Sequence, residues 1–275
     1  MNSHRRFQQM KALFEIETKK ILWGKRGIPT LLLALLPVVL FGSFFLISLL
    51  FIKTSHPPMG QPSATFAAFF QVFMLRSIVF FSAVWIFMNL FRADFLDNSL
   101  HYYLLSPLKR EYLVLGKFLA GAVSSTLLMT LSTTLAILLF QMSFGMAELK
   151  SFFLQNNGFL LILQYDLIIF LACLGYGSVF LLMGLLFRNA IIPAMLLYLW
   201  EWINFLLPSL LKKASVIYYL KALAPIPVSE GPLAMAADPI PAWLAVFGLV
   251  AFSLVMILLA ALKIRRMELS YGQES

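Results

Sequence analysis

Charge is scarce in this chain: only 12% of its 275 residues are Asp, Glu, Lys or Arg, about half of the roughly 25% usual in soluble domains. That shortage excludes a self-contained soluble enzyme. Cysteine is nearly absent. Cys173, the only one, falls in an apolar run, which excludes an intrachain disulfide and a cysteine metal cluster. Histidine is limited to His4, His56 and His101, in a tail, an outer loop and a polar loop, so no histidine set can converge on a metal or a substrate. HExxH and GxSxG are missing, and Gly24-Lys25 and Gly116-Lys117 lack both the earlier glycine and the following Ser or Thr of a phosphate loop. The chain is therefore expected not to be an enzyme, to hold no catalytic, cofactor or metal site, and not to hydrolyse ATP itself. No internal repeat relates its two halves.

What is present is apolar surface. Hydrophobic residues make up 61% of the chain, Phe alone contributes 27 residues and the mean hydropathy is +0.89, the composition of an integral membrane protein. The expected class is an all-α membrane protein with a single transmembrane domain over 1–275. Six spans are expected at about 28–52, 64–91, 118–140, 159–187, 191–211 and 243–262, each near the roughly 20 residues that cross a bilayer. Pro37 falls inside the first. The second is long and interrupted by Gln71 and Arg76. The third is rich in small and hydroxyl residues, which suit close helix packing in lipid. Before them, 1–27 reads as an amphipathic interfacial helix, with Phe7, Met10, Phe14 and Ile21 on one side and Trp23 at headgroup level. Residues 141–158 read as an outer loop. The 212–241 stretch reads as an outer segment holding a short helix at 216–222 that dips back toward the membrane.

The net charge of +9 does not point to nucleic acid, because the basic residues flank apolar runs and form no face with interleaved aromatics. They report orientation instead. Of the 21 Lys and Arg, seven precede the first span, four lie in 92–117, one is Arg188 and three follow the last span, whereas five fall in the outer loops. The excess belongs on the cytoplasmic side. Both termini and the 92–117 loop are accordingly expected inside.

Within that loop, Asp94, Asp97, Asn98 and Ser99 lead into an apolar stretch with Tyr102 to Leu105. Ser106-Pro107 stops a helix, and Glu111-Tyr112-Leu113-Val114-Leu115-Gly116-Lys117 re-enters an apolar run. A helix, a turn and a helix follow from this pattern. The segment resembles the cytoplasmic loop of ABC-2 type ABC transporter permeases, in which an acid, a short polar stretch, a Ser/Thr-Pro and a Leu-Gly-Lys connect the second and third spans. Here Asp94 stands for the acid and Asn98-Ser99 for the polar stretch. The resemblance implies a pathway subunit of an ATP-driven exporter in a prokaryotic inner membrane. It would be surrounded by lipid, paired with a second permease copy as a homodimer or heterodimer, and driven by separate ABC ATPase subunits that hold ATP and Mg. It makes 92–117 the coupling element. Leu100, Tyr103 and Leu104 would be its apolar knobs, Lys109, Arg110 and Glu111 its polar rim, and Asp94, Ser106, Pro107 and Lys117 its family marks. A scaffold of an envelope, secretion or gliding machine and a secondary transporter remain alternatives.

Three further charges, Arg76, Asp166 and Glu201, fall inside expected spans, where a charge must face protein or a water-filled cavity. Arg76 is expected to pair with Asp166 or Glu201. The Phe stripe of the second span (Phe66, Phe69, Phe70, Phe73, Phe80, Phe81) is expected against lipid or neighbouring helices.

Overall fold

A computed structural model describes residues 3–51, 62–96, 110–187, 189–228 and 240–266. Every regular element among the described residues is helical. Helix α1 (Ser3–Trp23) leads through a 3-10 turn, Lys25–Gly27, into α2 (Ile28–Phe51), the first span. The second span runs from Pro62 to Arg92 as α3 (Pro62–Phe69), a π-helical segment (Phe70–Val79) and α4 (Phe80–Leu96). Then come α5 (Arg110–Met142), the short α6 (Met146–Leu154) and α7 (Gly158–Leu186). Helix α8 (Ile191–Ile203) ends in a 3-10 turn, Asn204–Leu206, and is followed by α9 (Ser209–Lys212), α10 (Val216–Ala222) and α11 (Ala242–Arg265).

Five of these helices are long and apolar enough to cross a membrane. The segment expected at 191–211 is shorter: Ile191–Leu206 spans only ~24 Å at ~1.5 Å per residue, less than the ~30 Å hydrocarbon core. Its end has a local cause. Leu207 and Pro208 adopt extended angles, and the Asn204 side-chain amide donates to the Lys212 carbonyl at 3.3 Å, folding the chain back on itself. The expected outer loop at 141–158 contains α6, docked by Phe152, which is 3% exposed. Helix α10 occupies 216–222, where a returning helix was expected, and buries Val216, Ile217 and Leu220 against the bundle.

The Phe stripe of the second span packs mainly on protein. Phe66, Phe70 and Phe80 are buried, whereas Phe73 is exposed. Phe41 of α2 meets Phe69 at 4.7 Å between ring centroids and Phe140 of α5 at 5.1 Å, and Phe70 meets Tyr165 of α7 at 4.5 Å. Such edge and tilted pairs add to the area they bury. On α5, Ser124, Ser125, Ser132 and Thr133 are buried, and Ser132 donates to the Ala34 carbonyl of α2. Small residues thus let neighbouring backbones approach where lipid supplies no hydrophobic drive.

Candidate functional site

Three helices, α1, α4 and α5, meet at one ion pair. Lys117 on α5 is fully buried, and its Nζ donates to Glu17 Oε1 of α1 at 3.0 Å and to the Leu90 carbonyl of α4 at 2.8 Å. The ammonium also lies 5.4 Å from the Phe91 ring centroid. Lys20 reaches the same Glu17 oxygen at 3.2 Å, so two cations share one buried carboxylate. A buried charge needs this degree of satisfaction, since losing one partner leaves the other stranded. Gly116 completes the seat: a Cβ there would come within 2.9 Å of Leu13 on α1. The Leu-Gly-Lys sequence therefore has a packing reason, with glycine admitting α1 and lysine fastening it. Nearby, Arg110 Nη1 donates to the Ile264 and Arg265 carbonyls of α11 at 3.3 and 3.1 Å, and Arg265 pairs with Glu111 at 3.2 Å.

These contacts locate part of the expected coupling set. Arg110 and Glu111 sit at the start of α5 beside the end of α11, and Lys117 lies one step further in, buried. Asp94 lies on the last turns of α4. Leu100, Tyr103, Leu104, Ser106, Pro107 and Lys109 lie outside the described residues. Glu17 was not singled out from the sequence. The signal was present, because Glu17 falls on one stripe with Leu13 and Ile21, the buried face of α1.

A second polar constellation lies toward the opposite end of the second span. The π-helical ladder of the second span steps by five residues, which turns Gln71 and Arg76 toward the same side, and both are buried. Gln71 Nε2 donates to the Ile226 carbonyl at 2.7 Å. Arg76 lies 5.5 Å from the Trp202 ring centroid and interacts electrostatically with Glu201 and Tyr176. Glu201, 1% exposed, accepts from Ser215 Oγ at 2.7 Å and from the Val216 and Ile217 backbone N–H groups at 3.1 Å, with Tyr176 OH at 3.3 Å. The carboxylate of α8 thus caps α10, satisfying N–H groups that have no partner within the helix. Lys221, at the other end of α10, has its pKa pushed down to about 7 by burial, with Arg76 and Lys212 adding to the effect and Glu201 opposing it. Asp166 sits apart from this group, accepting from Thr134 Oγ1 at 3.3 Å. Of the two expected partners of Arg76, the fold brings Glu201 into its neighbourhood.

The family model described as CcmB protein matches residues 38–196, more than half of the chain. The chain belongs to the CcmB family. No curated protein matches it. CcmB proteins are membrane permease components of ABC-type transporters that work with ABC ATPase subunits, and the apolar helices fit an integral membrane protein. The matched region takes in the second span, the 92–117 segment, α5 and α7. Lys117 lies inside the CcmB match, whereas Glu17, Glu201 and α10 lie outside it.

Proposed function

We propose that this CcmB family chain is the pathway subunit of an ABC-2 type exporter, working as a pair of permease copies and driven through 92–117 by separate ATPase subunits. The observation that carries the reading is the junction of Glu17, Lys117 and the Leu90 carbonyl. The 92–117 segment takes in the end of α4 and the start of α5, and this junction binds those two helices to each other and to α1. A push on the segment from closing ATPases would move the three together, the kind of rigid-body step by which such transporters alternate. ATP and Mg belong on the partner, the chain itself supplying no catalysis. The excess of Lys and Arg around 1–27, 92–117 and the tail supports cytoplasmic termini in an inner membrane, with α1 lying along its cytoplasmic face. The family is described as one of heme exporter permeases, so heme is the first cargo to assay.

The test is purification of the full chain from its native membrane. A co-purifying soluble subunit with a phosphate loop, and cargo movement into sealed vesicles that needs hydrolysable ATP, are the expected results. A complex without such a subunit, whose activity ignores ATP, would overturn the reading in favour of a scaffold or a secondary transporter.

A further inference from the structure

Between α10 and the last span lies a cleft of about 210 Å3, walled by Val216 and Tyr219 of α10 and by Gly248, Leu249 and Phe252 of α11, and completed by Lys213. Gly248 and Phe252 lie ~9 and ~15 Å along α11 from Ala242, at ~1.5 Å per residue, so the cleft falls within the length of a helix apolar enough to cross a membrane. Around it, Leu211 on α9 and Val255 and Leu259 on α11 are exposed. Lys213 is the unusual member. It is exposed and, among the described residues, makes no hydrogen bond or ion pair, whereas its neighbour Lys212 is engaged. An ammonium within a span calls for an anion or a water-filled cavity, and the described lining of the cleft holds no carboxylate. Glu201 does not serve, because it is 1% exposed and already accepts from Tyr176, Ser215 and two backbone N–H groups.

The lining selects its guest by elimination. A small inorganic anion would meet one cation and otherwise hydrocarbon, and a neutral apolar molecule would leave the ammonium unanswered. A helix of a second copy, ~10–12 Å across with its side chains, is wider than a recess of this volume. A methylene chain ending in an anionic head matches both parts. We propose that the cleft between α10 and α11 binds an anionic phospholipid, with one acyl chain against Val216, Leu249 and Phe252 and the phosphate on Lys213. The second chain has a path over Val255 and Leu259, which continue the stripe of α11 that carries Gly248 and Phe252. Basic pockets between spans take lipid headgroups by the same combination of charge and apolar wall. The inference does not depend on the transporter reading.

Native mass spectrometry of the purified full chain in a non-ionic detergent, titrated with dioleoylphosphatidylglycerol or dioleoylphosphatidylcholine, tests the site. One molecule of the glycerol lipid should be held about tenfold more tightly than the choline lipid, the scale of one hydrogen bond to a charged group. Lys213→Gln should erase that preference and Lys213→Arg keep it. Lys150→Gln, a change at another exposed lysine, should leave it intact. Gly248→Leu probes the apolar half: a Cβ there meets only the Tyr219 ring, at 3.4 Å, so the larger side chain fills the cleft and should weaken binding of the glycerol lipid about tenfold. Equal affinity for the two lipids, a preference that survives Lys213→Gln, or unchanged binding in Gly248→Leu would overturn the proposal. So would displacement of the glycerol lipid by equimolar oleate, which would make the guest a fatty acid, or a loss of dimers instead of lipid in Lys213→Gln. A chain that binds lipid as expected yet recruits no ATPase and moves no cargo would leave this site standing and overturn the transporter reading alone.

Discussion

The Lys117 ammonium is fully buried 3.0 Å from the Glu17 carboxylate, an ion pair across one hundred residues that fastens the N-terminal helix to the third long helix. Breaking one side of such a pair costs ~3–5 kcal/mol, whereas replacing both sides with apolar groups of similar volume is often neutral. Lys117→Met should therefore lower the thermal midpoint of the purified chain markedly, and Glu17→Leu combined with Lys117→Met should recover most of the loss. Additive losses in a double-mutant cycle of melting temperatures would show that the two side chains do not act as a pair.

The same junction separates holding from coupling. Asp94, on the last turns of α4, belongs to the segment proposed to meet the ATPase. Asp94→Ala is expected to leave the subunit in the membrane at its normal level while ATP hydrolysis continues without cargo movement. Transport per ATP in sealed vesicles is the measurement, and an unchanged ratio would transfer the coupling role to the 100–105 stretch.

Glu201 holds the returning helix. Four donors converge on its carboxylate, two of them backbone N–H groups of α10, and hydrogen bonds to a charged group contribute ~1.5–3 kcal/mol each. Glu201→Ala should free α10, read as a rise of about tenfold or more in thiol-reagent labelling of a cysteine placed at Val216. Ser215→Ala removes one contact and should have a much smaller effect. Equal labelling in the parent and Glu201→Ala would remove the capping role.

Protonation of Lys221 gives a pH signature. Its pKa in the fold is about 7, below its ordinary value of 10.5, so between those values the unfolded chain binds the extra proton. Stability then rises with pH across that window, and the penalty is fully present below about 7. The melting temperature in detergent should climb from pH 7 toward pH 10, and Lys221→Met should flatten the climb and raise the value at neutral pH. A slope that survives in Lys221→Met would assign it to another group.

Much of the layout could be read from the sequence because lipid forces it to be. Long apolar runs must be helical where no water can satisfy the backbone, which is why α2, α5, α7 and α11 lie close to the expected spans, and the apolar cluster at 216–222 announced α10. What stayed hidden depends on tertiary partners. Glu17 reads as one more charge on an amphipathic helix until Lys117 is seen beneath it. The early end of α8 follows from Leu207-Pro208 together with the Asn204 contact to Lys212, of which only Pro208 carries a sequence signal. Helix α6 is too short to assert itself by periodicity and depends on Phe152. Gln71 and Arg76 marked the second span as unusual, but residue types alone do not distinguish a five-residue ladder from a four-residue one.

That ladder has a consequence for depth. A π-helical stretch packs more residues into each turn than an α-helix, so the second span is shorter, and α3 differently rotated, than its residue count would give. Had residues 70–79 kept α-helical winding, Arg76 would face another helix at another height, and Gln71 would point away from Ile226. Among the described residues Arg76 is the only arginine in the middle of a span, and its level and azimuth are thus set by how the backbone is wound, so any change of winding there would move that charge and the end of the returning segment as one.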